Sequence, residues 1–215
     1  MAMKILITAG PTREAIDPVR YISNRSSGKM GFAIAAAGAD RGHEVTLISG
    51  PVNLPVPAVK ECVAIQSAEE MYEVVSERIQ AMDAAIFCAA VYDYRAAHTE
   101  GQKIKKGDGP LLIKLERTRD ILGSARSVFG FQGTLIGFAA ETENLRANAR
   151  KKLEEKGCDI LVANDVSRQD IGFDQDVNEV RLFFRGGRED MTFGKQSKRV
   201  IGEKLITLLE ELSSF

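Results

Sequence analysis

Apolar residues gather along the chain in two alternating rhythms. Short apolar-rich runs at Lys4–Ala9, Glu44–Ser49, Lys60–Ile65, Ala84–Cys88, Thr134–Phe138 and Ile160–Ala163 read as strands, the first of them buried. Between them the apolar positions recur every three or four residues, which is helical spacing. Gly28–Arg41 carries Phe32, Ile34, Ala35, Ala36 and Ala39 as a small-residue face, and Gly42 stops it. Ser67 with Glu70 forms a capping box, followed by Met71, Val74, Val75, Ile79 and Met82 on one face. Asp120–Val128 and Leu145–Lys156 follow as helices, the latter with Leu145, Ala149 and Leu153 inward, and Ser197–Leu212 closes the chain. Gly10 to about Ser27 and the proline-rich Val52–Pro57 read as loops, and Gly186-Gly187 as the turn of a β-hairpin between Val180–Arg185 and Met191–Phe193. Strands alternating with helices predict an α/β fold: a mostly parallel, Rossmann-like sheet with helices on both faces and a C-terminal β-hairpin. No repeat or composition shift divides residues 1–215, so a single domain is expected.

Composition narrows the function classes. At 44% hydrophobic and 27% charged, the 215 residues match an ordinary globular chain. Lys and Arg number 29 and Asp and Glu 30, so no basic field recommends nucleic acid or an anionic membrane as partner. No apolar run reaches bilayer-spanning length, and Lys4–Ala9 is too short for a signal peptide. Cys62, Cys88 and Cys158 cannot all pair and form no Cys-x-x-Cys, and with His43 and His98 they have no metal-ligand spacing. Reduced thiols and a cytoplasmic location are expected.

In such sheets ligands bind beyond the carboxyl ends of the strands. Walking off each predicted strand end collects Gly10-Pro11-Thr12-Arg13, Ser49-Gly50, Ala89 to Arg95, Phe138 to Thr142, and Asn164-Asp165. Small residues, amides and carboxylates thus share one rim, either as a ligand site or as ordinary turn chemistry. Ser23 to Gly31 opens the first helix, where Ser26 or Ser27 can cap and free N–H groups favour an anion. Gly28-Lys29 is not a P-loop, because Met30 stands where Ser or Thr must hold magnesium. Nor is there a Gly-x-Gly-x-x-Gly after the first strand, an acid after the second, or a Tyr followed four positions on by Lys, which disfavours nicotinamide dinucleotides. Lys103, Lys105 and Lys106 lie in a loop rich in glycine (Gly101, Gly107, Gly109), which suits either a mobile lid over phosphates or a solvated charge run. Lys152 and Lys156, one turn apart, face either the same rim or water.

Seven segments in order carry a resemblance: Gly10 to Glu14, Asp17 to Arg20, Ile22 to Gly31, Ala89 to Arg95, Lys103 to Lys106, Gly137 to Thr142 and Ala163 to Val166. Together they resemble the phosphopantothenoylcysteine synthetases (phosphopantothenate–cysteine ligases) of the bacterial CTP-using type. The resemblance implies a ligase of coenzyme A biosynthesis that joins 4′-phosphopantothenate to L-cysteine with CTP and Mg2+, through a 4′-phosphopantothenoyl-cytidylate. It implies a homodimer and, with no decarboxylase segment ahead of Met1, no FMN and a separate decarboxylase as partner. It assigns catalysis to Asn24, as oxyanion donor, and to Lys103, as the cation of a lid at about 98–110. Gly10, Ala89, Ala90, Val91, Asp93, Lys103, Asp120, Ile121, Phe138, Lys152 and Lys156 match nucleotide contacts. Ser26, Gly28, Gly31 and Asn164 match the acid substrate's contacts, and Asp93 is the candidate for Mg2+. Two departures fall in nucleotide-contacting stretches: Thr118-Arg119 replaces Asn-Pro before Asp120-Ile121, and Tyr92 replaces Ala. They leave CTP against ATP open. Two other classes also remain: a regulator binding nucleotide or phosphopantothenate without turnover, and a Rossmann reductase using NAD(P).

Overall fold

The structure is a computed structural model that describes residues 2–167 and 175–213. Its twelve strands are β1 (Lys4–Ala9), β2 (Arg13–Ala15), β3 (Tyr21–Ser23), β4 (Glu44–Ser49), β5 (Glu61–Ala64), β6 (Ala84–Phe87), β7 (Tyr94–Ala96), β8 (Leu115–Arg117), β9 (Thr134–Glu141), β10 (Ile160–Asp165), β11 (Val177–Phe184) and β12 (Met191–Ser197). The five α-helices are α1 (Lys29–Asp40), α2 (Ala68–Arg78), α3 (Ile121–Ser127), α4 (Leu145–Glu155) and α5 (Lys198–Leu212). Among the described residues no helix is long and apolar enough to cross a membrane.

Eight strands form one sheet in the order β12-β11-β10-β9-β6-β1-β4-β5. The six from β5 to β10 run parallel, and the β11–β12 hairpin adds antiparallel to β10. This is the predicted fold class. The parallel strands are laid down outward from β1 in both directions, so the topology reverses between β1 and β6. Alternate residues of each strand feed two cores. Ile5, Ile7, Val45, Leu47 and Ile86 pack toward α1 and α5, while Leu6, Ile48, Ala85 and Phe87 pack toward α2, α3 and α4.

Helix α1 is buried on two sides, which corrects its predicted face. Ala37 and Gly38 are buried, whereas Ala36 and Ala39 are only half-buried. The cause is α5, which lies against α1 so closely that a Cβ on Gly202 would stand 2.8 Å from the Ala33 carbonyl oxygen. The α2 capping box forms with a shift: the Glu70 N–H donates to Ser67 Oγ at 3.2 Å, and its carboxylate accepts from Gln66 one residue ahead of the cap. Two small hairpins add to the predicted elements. β2 pairs β3 inside the expected Gly10–Ser27 loop, and β7 pairs β8 on either side of the lysine loop. The three cysteines are free, with Cys158 buried, Cys88 half-buried and Cys62 exposed.

Candidate functional site

The predicted rim is real, but part of it is strand. β9 continues through Phe138 to Glu141, and β10 through Asn164 to Asp165, because the two keep pairing (Ala140 with Asn164, Glu141 with Asp165). At the switch point the ends of β1 and β6 stay together: Ala90 N–H donates to the Gly10 carbonyl at 2.9 Å, and Thr12 N–H to the Ala90 carbonyl. Gly10 adopts φ +76°, a conformation natural to glycine.

Two clefts open there. The first, about 430 Å³, is lined by Asn24 to Gly31, by Cys88 to Val91, by Phe138 and Asn164 of the later strands, and by Lys152 of α4. The second, about 400 Å³, is lined by the 117–122 segment, including Asp120 and Ile121, and by Lys156. Ala89, Val91, Asp93 and Phe138 line both and form the wall between them. Ser26, Gly28 and Gly31 fall in the first cleft, at the start of α1. Lys152 and Lys156 are therefore separated, one in each cleft. Lys152 pairs with Glu141 at 2.7 Å, and Lys156 pairs with Asp120.

No serine caps α1. Its N-cap is Gly28 at φ +75°, without a side-chain cap hydrogen bond. The left-handed turn at Gly28 replaces the extended geometry that a serine cap needs. Gly31 brings the helix onto β1 so tightly that a Cβ there would meet the Ala9 Cβ at 2.5 Å. Asn24 uses both N–H groups of its amide, donating to the carbonyls of Ala90 and Val91 at 3.1 Å each. Two acceptors facing one end of the amide fix which end is nitrogen. Asn24 thus couples the entry of α1 to the end of β6.

The Asp93 carboxylate is exposed and forms no hydrogen bond or ion pair among the described residues, while its backbone carbonyl accepts from Thr118 N–H at 3.0 Å. The departing residues touch each other: Thr118 Oγ1 donates to the Tyr92 carbonyl at 2.8 Å. The Arg119 guanidinium lies 3.6 Å over the Tyr72 ring and pairs with Glu69, at the margin of the second cleft. Asp120 caps α3, accepting from Gly123 N–H at 3.0 Å. Burial pushes the Cys88 thiol up to about 12, so it lines the first cleft as a neutral group.

Lys103 is exposed and lines neither cleft. Its loop is tied down one residue later, where Ile104 N–H donates to Asp17 Oδ2 at 3.1 Å and the Ile104 carbonyl accepts from Arg20. Burial pushes the Asp17 carboxyl up, but N–H groups of Val19, Ile104 and Arg20, with the Arg20 guanidinium, outweigh it and hold it below its ordinary value. A depressed acid contributes stability above its unfolded pKa and loses it as pH falls through the folded value. Asp17→Asn is therefore expected to speed hydrogen exchange at the Ile104 amide and trypsin cleavage at Lys103 and Lys105. Acidification of the wild-type chain below the ordinary carboxyl range should do the same.

Sequence reasoning missed four cationic or amide side chains of the first cleft: Arg25, Lys29, Asn178 and Lys198. The last two are buried, at 5% exposure each. Their signal is weak, since a lysine at the start of an amphipathic helix ordinarily reads as solvated.

Fold and clefts define a doubly wound α/β protein with two adjoining clefts at its switch point. A family model described as the DNA/pantothenate metabolism flavoprotein C-terminal domain matches residues 1–212, and the chain belongs to that family. The resemblance to the phosphopantothenoylcysteine synthetases is thereby borne out at the level of the family. The chain is 47% identical over 208 residues to the coenzyme A biosynthesis bifunctional protein CoaBC of Escherichia coli, covering 95% of this chain and 50% of that protein. It is 46% identical over 186 residues to the CoaBC protein of Bacillus subtilis, covering 86% and 46%. The chain spans about half the length of the curated relatives it matches. Among solved structures, a CoaBC C-terminal domain superposes with a TM-score of 0.84 at 38% identity, covering 99% of this chain and 96% of that one.

Proposed function

We propose that this chain joins 4′-phosphopantothenate to L-cysteine, using CTP as the activating nucleotide, in coenzyme A biosynthesis. The observation that carries this reading is the pair of abutting clefts with a shared wall, which allows an acid and a nucleotide to meet at Asp93 and Phe138. A carboxylate resists amine attack because it is charged and lacks a leaving group. Its attack on the α-phosphorus of CTP releases pyrophosphate and forms a mixed acyl–phosphate anhydride. The cysteine amine then adds to the acyl carbon, the oxyanion collapses, CMP leaves and the ammonium proton passes to solvent.

The first cleft is read as the acid's site and the second as the nucleotide's. Asn24 stabilises the oxyanion by exchanging one of its backbone acceptors for it, and Phe138 borders the base. Lys103 neutralises phosphate charge when the 98–110 loop folds inward. Asp93 suits a magnesium ion held mainly by substrate phosphates, since such ions commonly take one or two protein carboxylates. The ion would screen the triphosphate charge. A homodimer is part of the same reading, and the exposed Val19, Tyr21, Leu111 and Leu112 near the two small hairpins supply an apolar surface for it.

Incubating the chain with both substrates, Mg2+ and each nucleotide in turn tests the reading. Pyrophosphate release that requires phosphopantothenate is expected with CTP, and no product with any nucleotide overturns the proposal. Lys103→Ala should cut turnover roughly 100-fold or more, the worth of a charge placed on a transition state, with thermal stability unchanged because its side chain is solvated. Turnover equal to wild type in that variant would remove Lys103 from the mechanism.

A further inference from the structure

Thr12 is fully buried and lines neither cleft, yet its polar groups reach the residues that hold Asn24. Its N–H donates to the Ala90 carbonyl at 3.3 Å, its Oγ1 accepts from Tyr92 N–H at 3.0 Å, and its carbonyl accepts from Ser23 Oγ at 2.7 Å. Ser23 precedes Asn24, while Ala90 and Val91 carry the carbonyls to which the Asn24 amide donates. One residue therefore braces both the stem of that amide and its acceptors. Buried polar pairs of this kind fix geometry, because losing one partner strands the other with no water to replace it.

The two acceptors of Asn24 are not equivalent. The Ala90 carbonyl receives the Thr12 N–H as well as the amide, whereas the Val91 carbonyl has no second donor among the described residues. If one amide N–H turns away, leaving Ala90 keeps both carbonyls partnered, while leaving Val91 orphans one. The Thr12–Ala90 bond is longer than most N–H···O bonds, so a small drift of the turn after β6 would break it. Two side chains hold that turn. The Thr12 hydroxyl takes Tyr92 N–H at the near end, and Thr118 donates to the Tyr92 and Asp93 carbonyls at the far end.

We propose that Thr12 is a positioning residue for Asn24: its hydroxyl fixes the turn so that its own N–H keeps the Ala90 carbonyl satisfied while Asn24 donates to the oxyanion. The hydrogen that moves is then the one on Ala90, and the one on Val91 stays as the pivot. The proposal rests on the ligase reading above for the oxyanion, but not for the bracing of the amide. Thr12 opens to neither cleft, so it acts only through Asn24. Loss of its hydroxyl releases the near end of the turn and leaves Asp93, which Thr118 holds, in place. A threonine that merely supported the fold would affect both half-reactions alike, because the same turn lines both clefts.

Thr12→Val keeps the branched shape and removes the hydroxyl, and Thr12→Ser restores it. With the full chain, labelled phosphopantothenate and CTP, quenched single-turnover reactions should show Thr12→Val releasing pyrophosphate at close to the wild-type rate. Its coupling to cysteine should be slower by roughly 10- to 100-fold, the effect of a small misplacement passed to a reacting group. KM for the acid and the nucleotide should not move, and Thr12→Ser should recover most of the coupling. Equal slowing of both half-reactions, or normal coupling in Thr12→Val, overturns the proposal. If Thr12→Val fails to fold, Ser23→Ala takes its place: it cuts the tie on the Asn24 side, and it too should slow coupling alone, any other result overturning the proposal. Amide exchange followed by NMR reads the bracing without catalysis. The Tyr92 N–H and the Asn24 side-chain N–H groups should exchange faster in Thr12→Val and at wild-type rates in Thr12→Ser. If wild type makes no product but exchange follows this pattern, the ligase reading fails and the bracing stands. If product forms and exchange in Thr12→Val is unchanged, the bracing fails and the ligase reading stands.

Discussion

Asn24→Asp is expected to leave the acyl-nucleotide forming but unable to couple with cysteine, lowering overall turnover by about 10²- to 10³-fold, the usual cost of losing one oxyanion donor. Two effects act together. The carboxylate offers only acceptors where the developing oxyanion needs a donor. It also sets negative oxygens against the carbonyls of Ala90 and Val91, which in the wild-type chain accept from the amide at 3.1 Å each. The second effect loosens the link between the α1 entry and the end of β6. Asn24→Ala separates the two, since it removes the donor without adding repulsion. Quenched reactions with labelled acid should show the activated intermediate accumulating in Asn24→Asp and, less strongly, in Asn24→Ala. Normal coupling in Asn24→Asp would remove Asn24 from the chemistry.

Gly50→Ala is expected to be the most damaging single methyl among the described glycines. A Cβ at Gly50 would stand 1.8 Å from the Pro11 carbonyl oxygen and 2.8 Å from its carbon. Both are backbone atoms, so neither can swing aside. Displacing Pro11 also strains Thr12, whose Oγ1 accepts from Tyr92 N–H and whose carbonyl accepts from Ser23 Oγ. Overpacking of this kind costs about 3 kcal/mol or more. In a chain of this size that corresponds to a melting temperature lower by about 6–12 °C. Gly101→Ala is the control, because nothing lies within 4 Å of the methyl it would add and the same assay should show almost no change.

The parallel sheet was legible because its central strands are buried on both faces, whereas the edge strand β5 is largely exposed. Lys4–Ala9 and Glu44–Ser49 carry their apolar runs end to end, and the structure reproduces both spans. The β2–β3 hairpin was illegible for the opposite reason. It rests on buried polar groups, Glu14 accepting from Ala68 N–H at the start of α2 and Asp17 gathering N–H groups around itself. Such charges read as solvent-facing until their distant donors are known. The strand-end rim was readable from Gly10, Ala89–Val91 and Asn164, since turn-forming and small residues must collect where backbones approach. What the pattern could not reveal was the division of that rim into two clefts. Lys152 and Lys156 share a helical face, yet Glu141 draws one and Asp120 the other.

The arrangement of α5 and the final hairpin bears on how the molecule could be cut. A fragment ending after β10 would retain every strand of the parallel sheet and the whole second cleft, yet would lack Asn178, Lys198 and the helix that buttresses α1. The tail of the chain is therefore no dispensable trailer: it closes one half of a two-chambered vessel whose other half is already complete without it.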